Sequence, residues 1–226
     1  MACFDIEDYL QRLSGELHSV FGKQLLYIGL QGSFRRGEAN DRSDIDVVVI
    51  LEELTDKAME QYRQILHRIG SWERSCGFLC GRQEMLHWNR LEICQLVHET
   101  EDYYGRLADF VPSYTREDVR TYLKLGVGNL YHELCHCYLH APQEQLEQVL
   151  PELYKAAFYL LQNRCWLQTG NFPLCRQELL GQLSGHDREV MKLGMQLRAG
   201  EKIETQLLYK TLFGWCQQML WEKEPL

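Results

Sequence analysis

Residues 30–49 read LQGSFRRGEANDRSDIDVVV, and the fold turns on how this stretch is divided. To its left, residues 25–30 (LLYIGL) form an apolar run that reads as a buried strand. To its right, residues 45–51 (IDVVVIL) are rich in β-branched residues and read as a second strand. Between them, residues 31–42 are polar, carry two glycines and read as a loop. The first strand therefore ends at Gly32-Ser33, and the second opens on Asp44-Ile45-Asp46.

Side chains two apart in a strand share a face, so Asp44 and Asp46 project together. Two adjacent carboxylates repel unless a cation or a proton lies between them. An all-oxygen ligand set suits a hard divalent ion. Mg²⁺ fits best, since it accepts one or two carboxylates and completes its shell with water and phosphate. Gly32 lets backbone approach a phosphate closely, and backbone N–H groups with the Ser33 hydroxyl can cradle one. Arg35, Arg36 and Arg42, in the same loop, can neutralise phosphate oxygens. Positioning and charge neutralisation are most of what phosphoryl transfer requires.

An apolar strand ending in Gly-Ser, a spacer of this length and Asp-x-Asp resembles the signature of polymerase-beta-like nucleotidyltransferases. The GSFRRG…SDIDVVV form is similar to the bacterial group containing the aminoglycoside nucleotidyltransferases, which join such a domain to a C-terminal helical one. The resemblance implies that Gly32 and Ser33 hold the triphosphate and that Asp44 and Asp46 hold two Mg²⁺ ions. It also implies a third carboxylate on a neighbouring strand, as metal ligand or base. Glu92, in the segment 91–97 read as a third main strand, is the candidate, with Glu84 and Glu99 in reserve. Lys124, early in the helical half, is a further candidate for a phosphate or acceptor contact. The implied reaction is in-line attack of an acceptor hydroxyl on the α-phosphorus of a nucleoside triphosphate, with pyrophosphate leaving.

The rest of the chain fits two domains. Residues 5–21 have helical spacing, with Asp5 as N-cap and Gly22 as stop. A helix starts at Thr55, residues 71–80 are ambiguous between strand and loop, and 82–88 read as a short helix. Beyond Pro112 the pattern is helical almost throughout, at 116–140, 143–169, 174–184, 187–199 and 201–222. The expected fold class is α+β or α/β: a nucleotidyltransferase domain over residues 1–110, with a mixed sheet and flanking helices, then an all-α bundle over 111–226. The acceptor is expected between the two.

The 226 residues carry a formal net charge of −8. Residues 1–110 hold 12 Lys+Arg against 19 Asp+Glu, net −7, and no basic stripe. This argues against nucleic acid as the main partner and suits a small, cationic acceptor. A protein acceptor is the other option; the helical half lacks an Arg-x4–6-His ribonuclease motif, so it is not expected to be a toxin of the kind that relatives of this domain modify. No run approaches the length of a membrane span, and residues 1–11 lack the features of an export signal, so a cytoplasmic location is expected. The nine cysteines are scattered and are expected to be reduced thiols. The oligomeric state, a dimer being one option, is not written in the sequence.

Two rival readings follow from the residues. A nucleotide-binding or regulatory module could keep Asp44 and Asp46 without acceptor chemistry. His132-Glu133-Leu134-Cys135-His136 matches HExxH, with His140 one turn on, and would make a zinc hydrolase. The crowd of Tyr131, Leu134, Cys135, Tyr138 and Leu139 instead points to a packed helix.

Overall fold

A computed structural model describes residues 4–41 and 43–222. The chain divides into two compact units, Met1–Ser113 and Tyr114–Leu226.

The first unit is built on a four-stranded sheet in the order β3-β2-β1-β4. The strands are β1 (Leu25–Leu30), β2 (Ile45–Leu51), β3 (Ser75–Gly81) and β4 (Glu101–Tyr104). β1 runs antiparallel to β2 and to β4, whereas β3 lies parallel to β2, so the sheet is mixed. A parallel neighbour needs a long crossover. α3 (Asp56–Ile69), started by the Thr55 side chain accepting from Ala58 N, supplies it.

Alternation along β2 divides two cores. Ile45, Val47, Val49 and Leu51 face α1 (Ile6–Phe21) and α3, packing on Leu13, Leu17 and Ile65. Val48 and Ile50 face the other way, toward Tyr27, Met85 and Phe110. That second face is covered by α4 (Arg82–Leu86) and α5 (Arg90–Glu99), through Met85, Leu96 and Val97.

The helix over residues 5–21 and the strands at 25–30 and 45–51 appear as read. The ambiguous stretch at 71–80 contains a full strand, paired from Ile45↔Ser75 to Leu51↔Gly81. Gly77 is required there, because a Cβ would lie 2.3 Å from the Val47 carbonyl oxygen. The loop read at 31–42 holds a one-turn helix, α2 (Gly32–Arg35).

One element differs in kind. Residues 91–97 are not a strand but part of α5. The Asn89 side chain accepts from Leu91 N at 3.1 Å, and the fully buried pair Ile93 and Cys94 marks a helical face. Ile and Val at short spacing satisfy period 2 and period 3.6 alike, and here the N-cap decides. The strand that completes the sheet is instead Glu101–Tyr104, EDYY, exposed throughout and without an apolar pattern.

The second unit is all helical: α6 (Arg116–His140), α7 (Gln143–Thr169), α8 (Arg176–Gln182), α9 (Gly185–Arg198) and α10 (Thr205–Trp221). Thr115 and Asp118 form the capping box that starts α6. Its core includes Leu123, Leu134, Ala157, Leu161, Leu212 and Trp215. Arg164 ties three elements, meeting Asp187 at 2.8 Å and Glu222 at 2.7 Å. Among the described residues, no helix is long and apolar enough to cross a membrane. The eight described cysteines are free thiols.

Candidate active site

The site begins where β1 runs out. Gln31 N donates to the Asp46 carbonyl at 2.8 Å, extending the β1–β2 ladder by one rung. Gly32 then turns the chain with φ +68°. A Cβ built on it would fall 1.8 Å from Asp46 Oδ2 and 2.7 Å from its Cγ. The carboxylate of Asp46 therefore rests on the bare Cα of Gly32. These two residues, fourteen apart in sequence, meet because only glycine leaves room and accepts that φ. Asp46 is half-buried and Asp44, one residue before β2, is exposed.

Several contacts hold the turn and the strand entrance. Phe34, inside α2, anchors the turn on the α1/α3 core and packs on Phe4 at 5.5 Å. Arg74 stacks over Phe4 at 4.7 Å and donates through both Nε and Nη2 to the Ser43 carbonyl, at 3.1 and 2.8 Å. It thereby fixes the residue just before Asp44. Asn40 and Ser43 close a small turn, with Ser43 Oγ accepting from Asn40 N at 2.8 Å.

The loop arginines separate in role. Arg36 is buried, donating to Glu99 at 2.5 Å, with Glu38 3.4 Å from its Nε. Glu99, held in reserve as the third carboxylate, is thus the internal partner of the loop. Arg35 is more open. Its Nε is buried without an aligned hydrogen-bond acceptor, and Glu101 lies 3.2 Å away as a charge partner. Arg42 lies outside the described residues. Lys124 is exposed on α6 of the helical unit.

The expected third carboxylate is placed differently. β3, the strand parallel to β2, carries no acid: Asp46 pairs with Cys76. Glu92 lies on helix α5, exposed, and accepts from Trp88 Nε1 at 2.7 Å. Trp88 packs edge-on to Phe78 at 4.8 Å, and Phe78 belongs to the sheet face that Asp46 shares with Val48. Glu92 thus belongs to the covering of that face, not to the sheet. On β4, Asp102 accepts from the Tyr27 hydroxyl at 2.7 Å and from Leu107 N at 3.1 Å. Burial pushes the Tyr27 hydroxyl's pKa well above its usual value, with the Asp102 contact adding to it. Glu84 lies on α4, where its carboxylate crowds Gly81. Among the described residues, no group of three or more His, Cys, Asp or Glu is gathered to hold a metal. Mg²⁺ does not need one, because water and phosphate supply most of its shell.

The HExxH segment lies in the middle and end of α6. His132, Glu133 and His136 are exposed. Glu133 Oε1 accepts from the Cys137 thiol at 3.4 Å, and the His132 and His136 rings stand 6.4 Å apart.

This geometry, a glycine-seated aspartate at the mouth of two antiparallel strands, belongs to a nucleotidyltransferase. Residues 10–124, half of the chain, match the nucleotidyltransferase domain family, and the protein belongs to it. The fold is similar to that of spectinomycin adenyltransferase AAD(9) from Enterococcus faecialis, solved with ATP and spectinomycin. The two share 16% identity over 93% of this chain and 99% of that one, with a TM-score of 0.59. A nucleotidyltransferase-like protein from Exiguobacterium sibiricum is 15% identical over 97% of this chain and 76% of that one, at a TM-score of 0.40. Among proteins of curated function, none matches the chain. The protein is a nucleotidyltransferase enzyme, with a mixed sheet and flanking helices followed by a helical unit.

Of the contacts that shape the site, sequence reasoning missed Arg74, Trp88 and the pairing of Arg36 with Glu99. The sequence carried a signal for one of them: Arg74 stands one residue before β3, at the point where a parallel strand reaches the entrance of β2.

Proposed function

We propose that this enzyme transfers a nucleoside monophosphate, from ATP, to a hydroxyl of a small cationic acceptor, releasing pyrophosphate. The observation that carries this reading is the seating of Asp46 on Gly32, which makes the serine turn and the aspartate pair one site.

Asp44 and Asp46 would hold Mg²⁺, which when bound supplies neutralisation of the triphosphate's charge. The chain's own groups do the remaining work. Backbone N–H groups of the Gly32-Ser33 turn, together with the Ser33 hydroxyl, hold phosphate oxygens in place. Arg35, whose Nε has no aligned acceptor, neutralises charge that builds on the departing pyrophosphate. Arg36, bound to Glu99, keeps the loop in position. The acceptor oxygen attacks the α-phosphorus as the bond to pyrophosphate breaks, and its proton passes to a carboxylate. We assign that role to Glu92, whose carboxylate accepts from Trp88 Nε1. Support for ATP and for a small-molecule acceptor comes from the ligands of the spectinomycin adenyltransferase. The net −7 of residues 1–110 favours a cation.

The test is pyrophosphate release with ATP, GTP, CTP or UTP, Mg²⁺ and a panel of hydroxylated small molecules. Release is expected with ATP and an aminated acceptor, and Asp44→Asn or Asp46→Asn is expected to lower it by about a thousandfold. Nucleotide binding without pyrophosphate across the whole panel would reject transfer in favour of a binding module.

A further inference from the structure

The histidine row on α6 is left over once the nucleotide site is assigned, and its spacing is uneven. The HExxH pair, His132 and His136, has ring centroids 6.4 Å apart and nearly parallel planes, 27°. The next pair, His136 and His140, has centroids 5.0 Å apart and planes inclined at 50°.

Chelation sets a definite distance. A borderline ion binds imidazole nitrogen at about 2.0–2.1 Å, and the ring centre lies roughly 1.1 Å beyond, so two adjacent rings on one ion have centres about 4.5–5 Å apart, from octahedral to tetrahedral angles. His136 and His140 meet this separation and His132–His136 does not. Both rings of the closer pair are exposed. His136 contacts both of its neighbours in the row, and the closer of the two is His140. Neighbouring groups are engaged elsewhere: Glu133 with the Cys137 thiol, and Tyr138 stacked on Tyr209 at 4.6 Å.

We propose that His136 and His140 form a two-imidazole site for a divalent transition metal, with water completing the shell. Imidazole ligands select borderline ions of the Ni²⁺, Cu²⁺ and Zn²⁺ kind and leave Mg²⁺ to the carboxylates. The arms of the chelate are the second and third histidines of the row, not the HExxH pair, and none of the residues assigned to the nucleotide takes part. His140 is the last residue of α6, so the ion staples the final turn to the one before it.

The test is calorimetric titration of tag-free, full-length protein with Ni²⁺ in excess Mg²⁺. One Ni²⁺ per chain is expected. His136→Gln and His140→Gln should each weaken binding at least tenfold, and His132→Gln should leave it within twofold. Glutamine is a good helix former at exposed positions, and circular dichroism checks that helicity is kept. In the unaltered protein, Ni²⁺ should broaden the ring proton resonances of His136 and His140 first, assigned from those two variants. Absence of binding, binding indifferent to both substitutions, equal loss from His132→Gln, or one ion shared by two chains would each overturn the proposal.

Discussion

At the scale of the residue, Gly32 carries the most consequence for its size. A methyl group there would overlap the Asp46 carboxylate, and φ +68° would strain any L side chain. Gly32→Ala should therefore act twice. Displacing Asp46 by about an ångström should lower kcat/KM roughly a hundredfold. The left-handed backbone should cost about 1–2 kcal/mol, read as a fall in the urea midpoint. Much of this was legible in the sequence, because Gly-Ser, spacer and Asp-x-Asp all lie within twenty residues. What was not legible lies far along the chain. Arg36 looked like a phosphate ligand because its partner, Glu99, stands 63 residues away. Arg74 drew no reading at all, because its acceptor, the Ser43 carbonyl, is 31 residues back. Contacts of that range leave no local pattern.

The Arg36–Glu99 pair has side chains 5% and 6% exposed, so removing Glu99 takes the shorter of two ion pairs from a buried guanidinium. Glu99→Ala should destabilise the first unit by about 3–5 kcal/mol, and the double change Arg36→Leu with Glu99→Leu should recover a large part. Chemical denaturation followed by tryptophan fluorescence and circular dichroism measures both.

At the scale of the element, α5 shows where pattern fails. Five apolar residues in seven positions served either period, and the decisive group, Asn89, lay outside the run. β4 failed for the opposite reason: an exposed edge of EDYY has nothing to alternate. β1 and β2 were plain because strands covered on both faces are apolar nearly throughout. The same α5 carries a titrating group. Burial holds His98 below its usual pKa, so the folded state takes up its proton later than the unfolded chain does. Its contribution to stability is complete above the unfolded value, about 6.5, and is lost as pH falls through the lower folded value. Urea midpoints at pH 7.5 and 5.5 should thus differ, and His98→Gln should narrow the difference.

At the scale of the whole molecule, thiol chemistry reports on both units. Burial pushes the Cys80 and Cys216 thiols up to about 12, which keeps them protonated and slow. Cys76 is exposed and pairs across the sheet with Asp46. Brief alkylation read by peptide mass spectrometry should modify Cys76 well before Cys80 or Cys216. ATP with Mg²⁺ should slow labelling at Cys76 and leave the other two unchanged. Equal labelling with and without nucleotide would place the nucleotide away from β2.

β1 and β2 are antiparallel neighbours, yet they are not joined by a tight hairpin. The linking chain is clamped at one end by Arg36 on Glu99 and at the other by Arg74 on Ser43. Between the clamps, residues 39–41 are exposed. Sheet register is then set by the apolar faces of the strands, and lengthening the span adds only about 0.6 kcal/mol per doubling. The enzyme has in effect a splice point beside the proposed nucleotide site, where new residues can be added while Asp44 and Asp46 stay where they are.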